Sequence, residues 1–91
     1  MPKYVIERDM PSVGQLPEAS IVAASKSSNS VLCDMGGRAQ WVQSFVTADK
    51  IFCVYLAENE QAVHDHAEAA GLPANAVHLV TDTIDPTTAD R

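Results

Sequence analysis

Ninety-one residues are enough for one domain and too few for two, and a chain this size buries only roughly 60 to 65% of its extended surface, which favours a partner subunit. The hydrophobic share of 46% and charged share of 20% are ordinary globular usage and exclude a disordered chain. With 12 acidic residues against 6 basic ones the net charge is −6, a surface that repels phosphate backbones, argues against nucleic acid and attracts cations.

The opening "MPKYVIERDM" has no apolar run of signal-peptide length, and no segment reaches the roughly 18 apolar residues of a membrane span, so a cytoplasmic protein is expected. "KYVIER" (3 to 8) is rich in β-branched and aromatic residues and predicts the first strand; "DMPSVGQ" then reads as a loop. Pro17 suits the first turn of a helix and Gly36-Gly37 its end, and Ile21, Ala24, Ser28, Val31, Leu32 and Met35 form one stripe between them. The first helix is therefore expected over about 17 to 35. "QWVQSFVT" (40 to 47) and "KIFCVYLA" (50 to 57) predict two strands joined at "ADK" as a hairpin. Asn59 is a natural N-cap, Glu60 sits well in a first turn and Gly71-Leu72-Pro73 is a stop, which sets a second helix at about 60 to 70. "VHLVTDTI" (77 to 84) alternates as a fourth strand and leaves residues 85 to 91 as a polar tail, so that one domain spans 1 to 84.

The order β-α-β-β-α-β predicts an α+β fold, the ferredoxin-like split βαβ sandwich with a four-stranded antiparallel sheet. Right-handed crossovers place both helices on one face. Strict alternation along the central strands puts Val42 and Val46 with Phe52, Val54 and Leu56 on one side, and Trp41 and Phe45 with Ile51, Cys53 and Tyr55 on the other. Both sides are apolar, so the face away from the helices calls for a cover, and a second copy is the simplest one, a dimeric α/β barrel.

Three histidines carry the candidate chemistry. Residues two apart on a helix point about 200° apart, so His64 and His66 cannot close on one ion from within the second helix. His66 shares a face with Ala62, Val63, Ala67 and Ala70 and is expected to look toward the sheet as a satisfied core-edge histidine or as a pocket residue. His64 lies with Glu60 and Glu68 at i−4 and i+4 on the solvated stripe, either as weak surface pairs or as a shallow site for a divalent cation such as Ni²⁺, Zn²⁺ or Co²⁺, with Cu²⁺ held more tightly. His78 is a third candidate; it shares a face with Asp82 at a spacing too long for the two to bind one ion.

A second constellation is the aromatic wall of Trp41, Gln43, Phe45, Cys53 and Tyr55, to which Tyr4 and Arg8 are added from the first strand. It describes a small-molecule pocket and equally a dimer core. Cys33 and Cys53 form no C-x-x-C pair and read as two free, buried thiols. No nucleophile-base pairing follows from spacing, and Gly36-Gly37 is a helix end, so enzyme status stays open.

The runs "MPKYVIERDMP", "QWVQSFVTADKIFCVYLAENE", "HAEAAGLPANAV" and "IDPTTAD" resemble a small bacterial family of unknown function related to ferredoxin-like nickel-binding proteins, and the H-A-x-x-x-G-x-P run at His66 to Pro73 is its most distinctive motif. What the resemblance implies is a homodimer with nickel bound near the dimer surface in at least one relative. His66 is the matching histidine; position 43, often His in the family, is Gln43 here. Three classes of function follow: a homodimeric metal-binding protein for sequestration or homeostasis, with His64, His66 or His78 and acidic neighbours as ligands; a small-molecule carrier or cofactor-independent enzyme, in which Trp41, Gln43, Tyr55 and His66 converge and His66 is the candidate base; and a plain interaction dimer.

Overall fold

A computed structural model describes residues 1–91. Strand β1 is Lys3–Asp9, α1 Glu18–Asp34, β2 Ala39–Val46, β3 Lys50–Ala57, α2 Glu60–Ala70 and β4 Ala76–Leu79, with short 3-10 turns at Val13–Gln15 and Pro86–Asp90. The sheet order is β2-β3-β1-β4 and every neighbouring pair is antiparallel, which is the expected ferredoxin-like arrangement of four strands and two helices. No helix is long and apolar enough to cross a membrane.

The core lies between the sheet and the helices. Tyr4 and Ile6 of β1, Cys53, Tyr55 and Ala57 of β3, Ala39 of β2, and Ala62 and Val63 of α2 form one buried cluster. Alternation along β1 sends Tyr4, Ile6 and Arg8 inward and Val5 and Glu7 to the opposite face. Asn59 caps α2 as expected, its side chain accepting from the Ala62 amide at 2.9 Å, and Gly71 ends the helix at φ 69°, where a residue without Cβ is at no disadvantage. Arg38 donates to Glu58 at 2.7 Å and to Asp65 at 2.9 Å, tying the start of β2 to α2.

Three expectations are corrected. Of the two thiols expected to be buried, Cys53 is buried and Cys33 is exposed on α1. Strict alternation on β2 fails at a bulge: Trp41 faces Tyr55 and Gln43 faces Val54, so Val42 is an extra residue in the ladder. Beyond it every side chain changes sides. Ser44 and Val46 join Trp41 on the helix side, opposite Cys53 and Ile51, while Gln43 and Phe45 pass to the other face, opposite Val54 and Phe52. The fourth strand is also shorter than 77 to 84. Its partner β1 begins at Lys3, so after Leu79 pairs with Tyr4 and Val80 donates to the Lys3 carbonyl, the ladder has nothing further to bind. The segment beyond ends in an ordered turn: the Asp85 side chain accepts from the Thr87 amide and the Thr88 hydroxyl accepts from the Asp85 amide, a reciprocal capping box with Pro86 in its first turn.

Candidate functional site

His66 is 1% exposed and faces the sheet from α2. Its Nε2 lies 3.0 Å from the Ser28 hydroxyl of α1, and its ring is tilted 47° against Tyr55 with centroids 5.1 Å apart. Burial, then the nearby Arg8 charge, hold its pKa below the ordinary imidazole value of 6.5, with Ser28 opposing, so the ring is neutral near pH 7. Burial likewise pushes the Tyr55 hydroxyl up.

Arg8 is as deeply buried as His66, at 1% exposed. Its Nε donates to the Cys53 sulfur at 3.3 Å, one terminal nitrogen donates to the Pro73 carbonyl at 2.6 Å, and the guanidinium carbon lies 6.0 Å from the Tyr55 ring centre. The other terminal nitrogen, Nη2, is buried without a partner. Arg8 enters none of the ion pairs of the chain. A buried unpaired charge costs on the order of several kcal/mol, so this arginine is the most anomalous polar group in the fold.

Beside it lies a cavity of about 190 Å³ between α1 and the sheet. Ile21, Ala24 and Ser25 line it on the helix side, where Ala24 is also exposed to solvent, and Trp41, Ile51 and Tyr55 line it on the sheet side. Met10, Val13 and Leu16 line one end, at which Leu16 is 46% exposed. That end is held by a close approach: the Gly14 amide donates to the Ala48 carbonyl at 3.0 Å, and a Cβ on Gly14 would meet the Thr47 carbonyl oxygen at 2.7 Å. The Trp41 indole donates to Ser44 at 2.8 Å, an inward partner supplied by the bulge.

Of the expected pocket residues, Arg8, Trp41 and Tyr55 line this cavity. His66 stands behind it, reached through Ser28, and Tyr4 is part of the neighbouring core. Gln43 lies on the opposite face of the sheet because of the bulge. Ser28 is the site residue that sequence reasoning missed, although it fell on the predicted inward stripe of α1.

The metal candidates occupy three separate places. His64 is half-buried on α2, its Nε2 3.3 Å from Glu60, with Glu68 exposed on the same helix. His66 is internal, with Nε2 engaged by Ser28. His78 projects from β4 on the sheet face away from the helices, its Nε2 2.8 Å from Glu7 Oε2. This bond and then the Lys50 ammonium, 3.5 Å from the other Glu7 oxygen, lower the Glu7 pKa against an opposing effect of burial. No three His, Cys, Asp or Glu side chains come together within the chain. Each exposed pair thus offers one imidazole and one carboxylate, a donor set that suits Ni²⁺ or Zn²⁺ and needs further ligands from water or a second copy.

The face that carries His78 is apolar at its centre. Cross-strand rows run Gln43, Val54, Val5, His78 and Phe45, Phe52, Glu7, Ala76, and Phe45 is 53% exposed.

No sequence among curated proteins matches the chain. A solved structure described as "Crystal structure analysis of SCO4226 from Streptomyces coelicolor A3(2)" is similar, with a TM-score of 0.76 and 18% sequence identity over 90% of this chain and 99% of that one. At that identity the likeness concerns the fold alone. The family model for "Nickel responsive protein SCO4226-like" matches residues 4–80, from the inward Tyr4 through His78 to the end of the β4 ladder, and the chain belongs to that family.

Proposed function

We propose that this protein is a cytoplasmic homodimer that binds a divalent transition metal, nickel foremost, for sequestration or homeostasis, with the His78–Glu7 pair as the half-site of each subunit. The observation that carries this reading is the 2.8 Å His78–Glu7 contact set on an apolar sheet face. Family membership supports the choice of nickel. Val5, Phe52, Val54 and Phe45 lie on the same face, which a second copy would cover, and a two-fold axis repeats the pair and supplies the donors that one chain lacks. His64 with Glu60 is the weaker pair, at 3.3 Å against 2.8 Å. His66 has no part in it, because it is 1% exposed and lies between α2 and the sheet, away from the face that carries His78.

Ni²⁺ titration of tag-free, chelator-stripped protein by calorimetry, with sedimentation in parallel, tests the reading. Saturable binding is expected to be lost in His78→Ala and kept in His64→Ala. Lys50→Ala should bind tighter, because Lys50 competes for Glu7. Val54→Lys should yield monomers that bind weakly. A monomeric wild type, or binding indifferent to His78, would overturn the proposal.

A further inference from the structure

The cavity under α1 lies on the other side of the sheet from the proposed metal pair and is independent of it. We infer that it is a binding site for a small monocarboxylate with an apolar body, whose carboxylate pairs with Arg8 and whose hydrocarbon or aryl portion fills the space between α1 and Trp41. Three observations converge. Arg8 is the sole charged residue lining the cavity, it is 1% exposed, and its Nη2 has no partner in the chain. Arginine keeps its charge in proteins, and a planar guanidinium recognises a carboxylate through parallel N–H donors. Nε and one terminal nitrogen are already committed to Cys53 and Pro73, which fixes the group and leaves Nη2 as the remaining donor, closed to solvent in the empty chain and reached by a guest as the side chains around it shift. The remaining wall selects the body of that guest: Met10, Val13, Ile21, Trp41 and Ile51 are apolar. The polar side chains that line the cavity with Arg8 are the hydroxyls of Ser25, Ser28, Ser44 and Tyr55 and the Cys53 thiol, and no carboxylate is among them. Ser28, lining the cavity and bonded to His66, connects the guest to the buried histidine.

Trp41 is the single tryptophan of the chain and lines the cavity, so its emission reports occupancy. Chelator-stripped protein is titrated with octanoate and phenylacetate, and with octanamide and phenylacetamide as neutral matches. Removing metal beforehand keeps an ion from capturing the carboxylates in place of Arg8. Saturable changes in emission are expected for the acids, with the amides weaker by about tenfold or more, since they cannot form the charge-assisted pair. Ala24→Phe, which fills the helix side and leaves Arg8 untouched, should abolish the saturable signal with the far-UV circular dichroism unchanged. Arg8→Met, where it folds, should bring the acids down to the affinity of the amides. The inference is overturned by no saturable change with either acid, by equal binding of acids and amides to the wild type, or by undiminished binding in Ala24→Phe.

Discussion

The two helices lie on the same side of one sheet, yet α2 buries Ala62, Val63, His66 and Ala67 while the longer α1 buries only Ser28. The difference begins in local chemistry. Helix α2 starts on Asn59 with a made N-cap bond, has Glu60 in its first turn and stops at a left-handed glycine. Helix α1 starts on Pro17 with no side-chain cap, and Ser20, Ser25, Ser27, Ser28 and Ser30 occupy it. Serine is a middling helix former whose hydroxyl competes for backbone partners, as Ser25 does by donating to the Ile21 carbonyl at 2.9 Å. Small side chains on the inner stripe also cannot reach the sheet. The cavity lies where Ala24 and Ser25 stand in for residues that would have filled it. One helix therefore anchors the sheet and the other roofs a space, and the Ser28–His66 contact is the polar link between them.

The strongest way to break this contrast is to remove the link from the anchored side. His66→Ala leaves a void beside Tyr55 and an unsatisfied Ser28 hydroxyl, and is expected to cost about 2 to 4 kcal/mol in urea unfolding. Ser28→Ala on the roof should cost about 1 kcal/mol. Equal losses would mean that the two helices are equally anchored. Next comes the end of the cavity beside Gly14. Gly14→Ala pushes a Cβ into the hairpin backbone at 2.7 Å, with an expected loss of about 1 to 3 kcal/mol, read as a drop in melting temperature. An unchanged melt would show that this end yields freely.

Capping distinguishes the helices at a smaller scale. Asn59→Ala removes the α2 cap and should cost about 1 kcal/mol. In α1, Ser25→Ala should fall within about 0.5 kcal/mol of neutral, since it exchanges a back-bonded hydroxyl for a better helix former. A large loss there would make α1 a packed helix after all.

The smallest expected effect is in pH. His66 has its pKa lowered in the fold, first by burial and then by Arg8, so the unfolded chain binds a proton near pH 6.5 that the folded chain refuses. Its contribution to stability is complete above about pH 6.5 and declines as pH falls toward the lower folded value. Glu7 and Asp65 are held below the ordinary carboxylate range, by His78 and Gln61 respectively as the leading partners, so their losses come at more acid pH. Melting temperature of the wild type should therefore fall between about pH 7 and 5 more steeply than that of His66→Gln. Matching slopes would assign the effect to other groups.

Much of this arrangement was legible in the chain. Element order, the α2 boundaries, the inward aim of His66 and the solvated position of His64 follow from the 3.6-residue period and from Asn59 and Gly71, signals that act within a few residues. The apolar character of both sheet faces was also readable, because β3 alternates without interruption.

What tertiary structure alone decided begins at the β2 bulge. A period-two argument assumes one residue per step, and the extra residue at Val42 reverses everything after it, sending Phe45 and Gln43 to the open face and bringing Ser44 to the Trp41 indole. The length of β4 depended on where its partner β1 begins, not on its own alternation. The unpaired Arg8 was beyond any local signal. The alternation of its strand sets it on the aromatic face with Trp41 and Tyr55, but whether a carboxylate would meet it there depended on which side chains α1, β3 and the segment at Pro73 brought to the same point. Local periods state which way a residue faces. Only the packed chain determines what it finds there.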